Sequence, residues 1–220
     1  HASASRVAPG CAYFGVCGGC SMQHIDPRTQ IAAKQKVLER CLATNGKVSA
    51  ETILLSVRGP SRPYRSRARL SVRLVRKKGG VLVGFHERRS SFVVDMTSCE
   101  VLPDFVSRAL PELRALVAEL SFCDRLPQIE LAVGVAVAIP VLRILEQPGE
   151  ADLARLRDYA EQSGFQLWLQ PAGPETAQAF WPLDAPPLDY LLPEFDVRLR
   201  FRPTEFTQVN HEVNRMLVRC

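Results

Sequence analysis

Apolar and polar residues alternate along residues 63–76, which read PYRSRARLSVRLVR. A period of two predicts a half-buried strand. The Gly79–Gly80 pair and the following VLVGFHERRS predict a tight turn and a returning strand. One face of the first strand holds Arg65, Arg67, Arg69, Ser71 and Arg73, and the other holds Ala68, Leu70, Val72 and Leu74. The pattern therefore predicts a β-hairpin with a row of arginines on one side.

A helical pattern comes before this hairpin. Asp26 is a suitable N-cap, Pro27 fits a first helical turn and Gly46 can end the helix. The positions that share one side are Ile31, Gln35, Leu38 and Leu42. We expect this helix to pack over the segment that precedes it.

Shorter patterns fill the rest of the chain. The predicted elements are a third strand at 90–95, two short helices or one helix kinked at Pro111 over 101–120, strands at 128–137 and 141–145, a helix at 150–163 that ends at Gly164, a strand at 165–169, a loop or weak hairpin at 173–187, a strand at 195–202 and helical spacing towards 220. The order strand, strand, helix, strand indicates a mixed sheet with helices on it. The predicted fold class is α+β, with a mixed or antiparallel sheet.

Three parts follow from this organisation. We predict a cysteine loop with its helix at 1–46, a central α/β domain at 47–202 and the start of a further domain at 203–220. The chain begins with His1 and ends within a helical pattern, so we expect it to be part of a longer protein.

Composition describes an ordinary globular protein. The chain is 46% hydrophobic and 23% charged, which permits a sizeable core. No apolar run approaches the length of about 18 residues that a membrane helix requires, and the first ten residues have no apolar signal core. We expect a cytoplasmic protein that does not interact with membranes. The sequence does not determine the oligomeric state, for which a monomer is our working expectation.

The net charge of +5 is distributed unevenly. Residues 58–89 hold eleven Lys or Arg against one acid, whereas residues 100–200 hold eight against sixteen. A concentrated basic patch is typical of a protein that binds a polyanion. Because arginine forms paired hydrogen bonds with phosphate, we predict that the arginine face contacts an RNA or DNA backbone, although a merely solvated sheet face is the alternative.

Three of the seven cysteines lie in CAYFGVCGGC, with five and then two residues between them. The glycines of this stretch let a short loop curl around an inorganic centre. Iron–sulfur proteins often add a remote fourth thiolate, for which we choose Cys99 in MTSCEVL. Four cysteines suit zinc equally well. His24 is a weaker candidate ligand that we interpret as an outer hydrogen-bond donor or as a residue at the entry to the helix. We expect Cys41 and Cys123 to be buried small hydrophobic residues.

Four segments together resemble one family. CAYFGVCGGCSMQH, YRSRARLSV, TSCEVL and FRPTEFTQVNHEVN occur in this order over nearly the whole chain, as in the 23S rRNA uracil-5-methyltransferases that carry a [4Fe–4S] cluster. The resemblance implies that Cys11, Cys17, Cys20 and Cys99 bind the cluster. It also implies that the arginine strand contacts RNA, that Phe206 lies near the target nucleotide and that Gln208 contacts S-adenosylmethionine, with Asn210 as a further candidate.

The same resemblance implies a reaction. In the complete enzyme a cysteine adds to C6 of a flipped-out uracil, C5 then takes the methyl group of S-adenosylmethionine, and a base removes the C5 proton. The chain lacks the family's TRAM-type barrel, its later nucleophilic cysteine and its base, so we place no catalytic residue in it. Residues 203–220 would begin the Rossmann-like methyltransferase domain, and we expect the fragment alone to be inactive. The chemistry uses no redox step, so we predict a structural or RNA-docking role for the cluster.

Two other classes of protein stay open. One is a zinc-bound RNA-binding module without catalytic activity, and the other is an electron-transfer iron–sulfur protein. The cysteine spacing is not that of the radical enzymes that cleave S-adenosylmethionine. The sequence identifies neither the modified uridine nor the choice between rRNA and tRNA.

Overall fold

The structure, a computed structural model, describes residues 3–220. Its helices are α1 Pro27–Cys41, α2 Asp104–Arg108, α3 Leu110–Glu119, α4 Glu150–Ser163 and α5 His211–Val218. Its strands are β1 Arg67–Val75, β2 Gly80–Gly84, β3 Gln128–Val133, β4 Ala138–Arg143, β5 Leu167–Gln170, β6 Gln178–Trp181, β7 Asp189–Leu192 and β8 Val197–Arg200. A π-helical segment, Leu42–Gly46, extends α1, and short 3-10 turns occupy Arg76–Lys78, Cys123–Arg125, Pro174–Thr176 and Pro193–Phe195.

Six strands form one sheet in the order β2-β1-β3-β4-β5-β6. Every neighbouring pair is antiparallel except β4 and β5. Helix α4 connects these two, as a crossover between parallel strands requires. The predicted mixed α+β class is confirmed. A separate pair, β7 and β8, forms a two-stranded antiparallel sheet.

The predicted hairpin is confirmed as β1 and β2. Ala68, Leu70 and Val72 are buried, while Arg69 and Arg73 are exposed. Gly79 and Gly80 both have positive φ angles, of 85° and 132°, which glycine adopts without steric cost. The arginines therefore lie on the side of the sheet opposite the main core.

The main core lies between this sheet and the helices α2, α3 and α4. Its fully enclosed side chains include Leu70, Leu102, Val117, Ile129, Leu142 and Leu156. Full burial of such a side chain is worth about 1.5–3 kcal/mol. The opposite face of β3 and β4 carries a smaller cluster, in which Ile139 and Val141 pack with Ala177 and Leu188. Strand β4 is thus buried on both faces.

Local signals placed several elements correctly. The side chain of Asp26 caps α1 by accepting hydrogen bonds from the amides of Arg28 and Thr29. Pro111 lies in the first turn of α3, which separates two short helices as expected. Gly164 ends α4 in a left-handed conformation, with φ of 71°. Residues 195–202 contain β8, whose partner β7 was not predicted.

Residues 90–95 are not a strand, which corrects the prediction. They form one arm of a turn, and a single bridge joins Val93 to His86. Arg89 has a left-handed φ of 55°, and the Phe92 carbonyl accepts a hydrogen bond of 2.8 Å from the Glu87 amide. The chain reverses within too few residues for a ladder to form.

Helix α1 lies on the surface, so the expected burial of Cys41 was wrong. None of its side chains is buried in the described structure, and Cys41 is exposed. Gln30 nevertheless attaches α1 to the segment after the cysteine loop, because its amide donates to the carbonyls of Met22 and Ile25 at 3.0 and 2.9 Å. Cys123 is half-buried.

Within residues 3–220, no helix has the length and apolar character that crossing a membrane requires.

Asp152 is a buried carboxylate that joins α4 to the end of α3. It accepts hydrogen bonds from the amide and hydroxyl of Ser121 at 2.9 and 2.6 Å. Burial alone would raise the pKa of Asp152, but the bonds from Ser121, with smaller contributions from the Gly149 backbone and Arg155, hold this pKa below its usual value. The charged carboxylate therefore stabilises the fold.

We expect Asp152→Asn to lower the free energy of unfolding by about 1–3 kcal/mol at neutral pH, since charged hydrogen bonds are lost. Because the folded-state pKa is depressed, the wild-type stabilisation is full above the unfolded pKa of about 3.9 and is lost as pH falls through the folded value. Urea unfolding at several pH values should show this loss in the wild type and not in the variant. Glu150→Gln, an exposed carboxylate of the same helical turn, is the control. An unchanged stability in Asp152→Asn would contradict the assignment.

Candidate metal centre and nucleic-acid-facing surface

Residues 11–20, here called the cysteine loop, fold as successive turns. The carbonyl of Cys11 accepts from the Phe14 amide at 3.1 Å, and the carbonyl of Tyr13 accepts from the Cys17 amide at 2.9 Å. Gly15 has a φ of 97°, which a side chain would strain. The turns bring Cys11, Cys17 and Cys20 to one side of the loop.

All four predicted cysteine ligands line one small cavity. Its other lining residues include Tyr13, Phe14, Phe85, Met96 and Val101. Cys17 and Cys99 are buried, whereas Cys11 and Cys20 are half-buried. The structure thus brings Cys99 to the cysteine loop, as the sequence predicted.

Cys99 lies in a loop before α2. The prediction that the end of a strand at 90–95 positions this cysteine was therefore wrong. Its position is fixed instead by its amide, which donates to the Ser107 hydroxyl at 2.8 Å. The Tyr13 hydroxyl ties the same loop to the cysteine loop, because it bonds the amide and hydroxyl of Thr97, each at 2.9 Å.

Burial raises the pKa of the Cys17 and Cys99 thiols, and the nearby Cys20 and Cys11 raise both further. An amide hydrogen bond from Gly19 to the Cys17 sulfur, at 3.3 Å, acts in the opposite direction. Thiolates are the species that bind metals, and clustered thiolates in an apolar cavity need a cation to balance them. The donor chemistry, four sulfurs, fits an iron–sulfur cluster. Within residues 3–220, no three Cys, His, Asp or Glu side chains are grouped closely enough to hold a single metal ion.

His24 does not line this cavity. Its ring lies 5.5 Å from the ring of Phe14, and its carbonyl accepts from the Val7 amide at 3.0 Å. Neither contact is the hydrogen bond predicted for its side chain, and its buried Nδ1 has no hydrogen-bond partner among the described residues, so the interpretation as an outer donor stays a prediction.

The four predicted RNA-contacting arginines occupy different environments. Arg69 has a side chain that is 69% exposed and pairs with Glu130 at 2.9 Å. Arg73 is exposed, and no carboxylate among residues 3–220 pairs with it. These two are accessible to a large ligand.

Arg65 and Arg67 are engaged in the fold instead. The guanidinium of Arg65 lies 5.7 Å from the Phe85 ring centre and donates to the Gly19 carbonyl at 3.5 Å. Arg67 is half-buried and donates to the carbonyl of Pro203, and burial lowers its pKa. Arg65 therefore contacts the cysteine loop and Arg67 the segment that leads to α5.

Phe206 and Gln208 are both exposed, on either side of the buried Thr207. Phe206 is 86% exposed, which is unusual for a phenylalanine. The segment is held to the sheet because the Ser66 amide donates to the Val209 carbonyl at 2.8 Å. An exposed aromatic ring on an anchored segment is available for stacking.

Sequence reasoning missed a polar network beside this segment. The Nε2 of His211 lies 3.1 Å from the Ser66 hydroxyl, and the His211 ring stacks on Tyr190 with centres 5.1 Å apart. Burial, and then the charge of Arg67, lower the pKa of His211. One signal was present, since Ser66 is a polar residue on the apolar side of the alternating pattern and such a residue needs a partner.

The fold is similar to that of a known RNA-modifying enzyme. The crystal structure of Pyrococcus abyssi tRNA (uracil-54, C5)-methyltransferase in complex with S-adenosyl-L-homocysteine matches 99% of this chain and 50% of that chain, with a TM-score of 0.64. Sequence identity is 20%, so the likeness concerns the fold. No protein-family model matches the chain. The fold of this chain is therefore similar to that of about half of this tRNA-modifying enzyme.

Comparison with curated sequences gives closer relatives than the structural comparison does. The chain is 59% identical over 216 residues to the 23S rRNA (uracil(1939)-C(5))-methyltransferase RlmD of Burkholderia pseudomallei and to that of Burkholderia ambifaria, and 58% identical to that of Burkholderia thailandensis. Each match covers 98% of this chain and 46% of the relative. The resemblance to the 23S rRNA uracil-C5-methyltransferases is confirmed, and the chain spans about half the length of these relatives.

Proposed function

We propose that this chain is part of an enzyme that transfers a methyl group from S-adenosylmethionine to C5 of a uridine in 23S rRNA. The observation that carries the proposal is the identity of 59% over 98% of the chain to enzymes named for that reaction. The likeness of fold to a tRNA uracil-C5-methyltransferase supports the reaction class. An rRNA substrate also agrees with a cytoplasmic location.

We assign a [4Fe–4S] cluster to Cys11, Cys17, Cys20 and Cys99. The support is the presence of these four cysteines in the lining of one cavity, together with the family resemblance. When bound, the cluster would supply four strong iron–thiolate bonds and no redox step of the methyl transfer. Those bonds would join the cysteine loop to the loop before α2.

The same proposal divides the chain into three parts. Residues 1–46 hold the cysteine loop with α1, residues 47–202 hold the sheet, and residues 203–220 lead into the catalytic domain. Gln208 is the candidate contact for S-adenosylmethionine, and its exposure leaves it accessible. No catalytic residue is assigned within these 220 residues.

The RNA surface comprises the arginine face and Phe206. Arg69 and Arg73 are the accessible phosphate contacts. Arg65 and Arg67 each donate one hydrogen bond to a backbone carbonyl within the chain. They can therefore contact RNA only through those of their other N–H groups that are accessible. Phosphate contacts of this kind fix the position of the RNA and leave sequence reading to other groups.

We expect Arg73→Ala to weaken binding of a single-stranded RNA and to reduce its salt dependence by about 0.7 in log–log slope, the value for one lost phosphate contact. Fluorescence anisotropy at several salt concentrations measures both quantities. Stability should not change, because Arg73 makes no ion pair among residues 3–220.

Arg108→Ala is the matched control, since Arg108 is also exposed but lies on α2, on the helix-covered side of the sheet. It removes the same charge and should leave the slope unchanged. Equal effects of the two substitutions would show that only net charge matters, and no effect of Arg73→Ala would contradict its assignment to the RNA surface.

A further inference from the structure

A basic turn, residues 86–93, borders the cysteine loop. Arg88 and Arg89 are exposed at its tip, and no carboxylate among residues 3–220 pairs with either of them. With Arg69 they surround a shallow surface pocket whose other lining residues are Gly18, Gly19, Phe85, His86 and Glu87. Arg69 also pairs with Glu130, but Arg88 and Arg89 face only one half-buried acid, Glu87, which makes this pocket suitable for a phosphate.

The basic turn continues the arginine face of β1. His86 Nε2 lies 2.8 Å from the hydroxyl of Ser71, which lies on the same face as Arg69 and Arg73. Phe92, also in the turn, is 69% exposed. An RNA strand that follows Arg73 and Arg69 would therefore reach two further cations and an exposed aromatic ring.

The backbone of the basic turn is bonded to the cysteine loop. The Gly18 amide donates to the His86 carbonyl, and the Arg88 amide donates to the Val16 carbonyl, each at 2.8 Å. A bridge also pairs Cys17 with Glu87. The two segments touch so closely that a Cβ atom on Gly18 would lie 2.9 Å from the His86 carbonyl oxygen.

These contacts make the order of the turn depend on the order of the loop. The cysteine loop contains three glycines, so its backbone loses much conformational entropy when it is fixed. Metal–thiolate bonds from Cys11, Cys17 and Cys20 would hold it in one conformation. Without them, we expect the loop and the attached turn to open more readily than the main core.

We propose that Arg88 and Arg89 form a phosphate-binding site for the RNA substrate, and that occupancy of the four-cysteine site sets the position of this basic turn. The proposal rests on the cluster and RNA assignments made under the proposed function. It gives the cluster a role in RNA affinity that needs no electron transfer.

The test is a cycle of four proteins that bind a fluorescein-labelled single-stranded RNA containing one uridine. They are the wild-type chain, Arg88→Ala/Arg89→Ala, Cys99→Ser and the combination of all three substitutions. Cys99 is the ligand to change because it makes no contact with the basic turn in the described hydrogen bonds. Iron and sulfide content is measured on each protein.

We expect the arginine pair to matter only when the cluster is present. In the cluster-loaded chain its removal should lower affinity about tenfold and reduce the salt slope by about 1.4, for two phosphate contacts. In the Cys99→Ser protein the same removal should change affinity by less than about twofold, since a mobile turn makes few contacts. Arg76→Ala/Lys77→Ala removes the same charge at the far end of β2 and should have a small effect in both proteins.

Amide hydrogen exchange gives a second readout that requires no RNA and no variant. Exchange in residues 86–92 should be faster after iron is removed from the wild-type chain by chelation. Exchange in β3, within the core, serves as the internal reference. This measurement also covers the case in which Cys99→Ser fails to fold.

The outcomes separate the two proposals. Equal losses with and without the cluster, or unchanged exchange after iron removal, would overturn the coupling while leaving RNA binding in place. No loss in the loaded chain would overturn the phosphate site. A wild-type chain without iron and sulfide would overturn the cluster assignment, and one without RNA affinity would overturn the RNA-surface assignment. The proposed methyl transfer rests on sequence identity and is separate from both.

Discussion

The chain purified without oxygen is expected to contain about four irons and four acid-labile sulfides, and Cys99→Ala should lose most of both. The reason is geometric. Cys11, Cys17 and Cys20 come from one short loop, whereas Cys99 is the only one of the four ligands that belongs to the central domain. Removing it would leave the cluster with three thiolate ligands and one iron without a protein ligand.

The same substitution should lower thermal stability. The amide of Cys99 is held by Ser107 in α2, so iron–thiolate bonds would connect the cysteine loop directly to a helix of the main core. When that connection is lost, the two hydrogen bonds of Tyr13 to Thr97 are the main remaining tie described between the two loops. Iron and sulfide assays and a thermal melt on the same sample measure both effects.

Cys123→Ala is the matched control for this experiment. Cys123 is a half-buried cysteine that does not line the cavity, so iron content should not change. One zinc per chain with no sulfide would contradict the cluster and favour the zinc-bound RNA-binding module. Iron that is retained in Cys99→Ala would contradict the choice of the fourth ligand.

Elements with local signals could be predicted from the sequence. Helix α4 has the bounds Glu150–Ser163 that its amphipathic pattern and Gly164 indicate, and α1 begins where Asp26 can cap it. The prediction of a strand at 90–95 was wrong because the backbone there forms hydrogen bonds across a turn of a few residues. The bond from the Glu87 amide to the Phe92 carbonyl is one of them. The prediction that Cys41 is buried was wrong because helical spacing does not indicate which other elements pack against a helix.

For the candidate site, the sequence predicted which cysteines lie together but not which distant segments contact the arginine strand. The grouping of four cysteines followed from ligand chemistry, because a remote thiolate often completes a site in which three are clustered. The half-burial of Arg67 could not be predicted, because its partner is the Pro203 carbonyl, far along the chain. The contact of Ser66 with His211 could not be predicted either, because the two residues are also far apart along the chain. Alternation identifies the face of a residue and not the segment that crosses it.

Phe206→Ala should lower affinity for single-stranded RNA by about 5- to 150-fold, because stacking of one base on an aromatic ring is worth about 1–3 kcal/mol. The ring is 86% exposed, so the folded chain gives up little packing when it is removed. The melting temperature should therefore stay close to that of the wild type. Fluorescence anisotropy and a thermal melt distinguish a binding effect from a folding effect.

Aromatic replacement separates stacking from simple apolar contact at this position. Phe206→Trp keeps a flat π surface and should retain affinity, whereas Phe206→Leu keeps apolar volume and should bind as weakly as the alanine variant. Equal affinity of the leucine and tryptophan variants would contradict stacking. A large fall in melting temperature for Phe206→Ala would instead show that the ring supports the segment between Pro203 and α5.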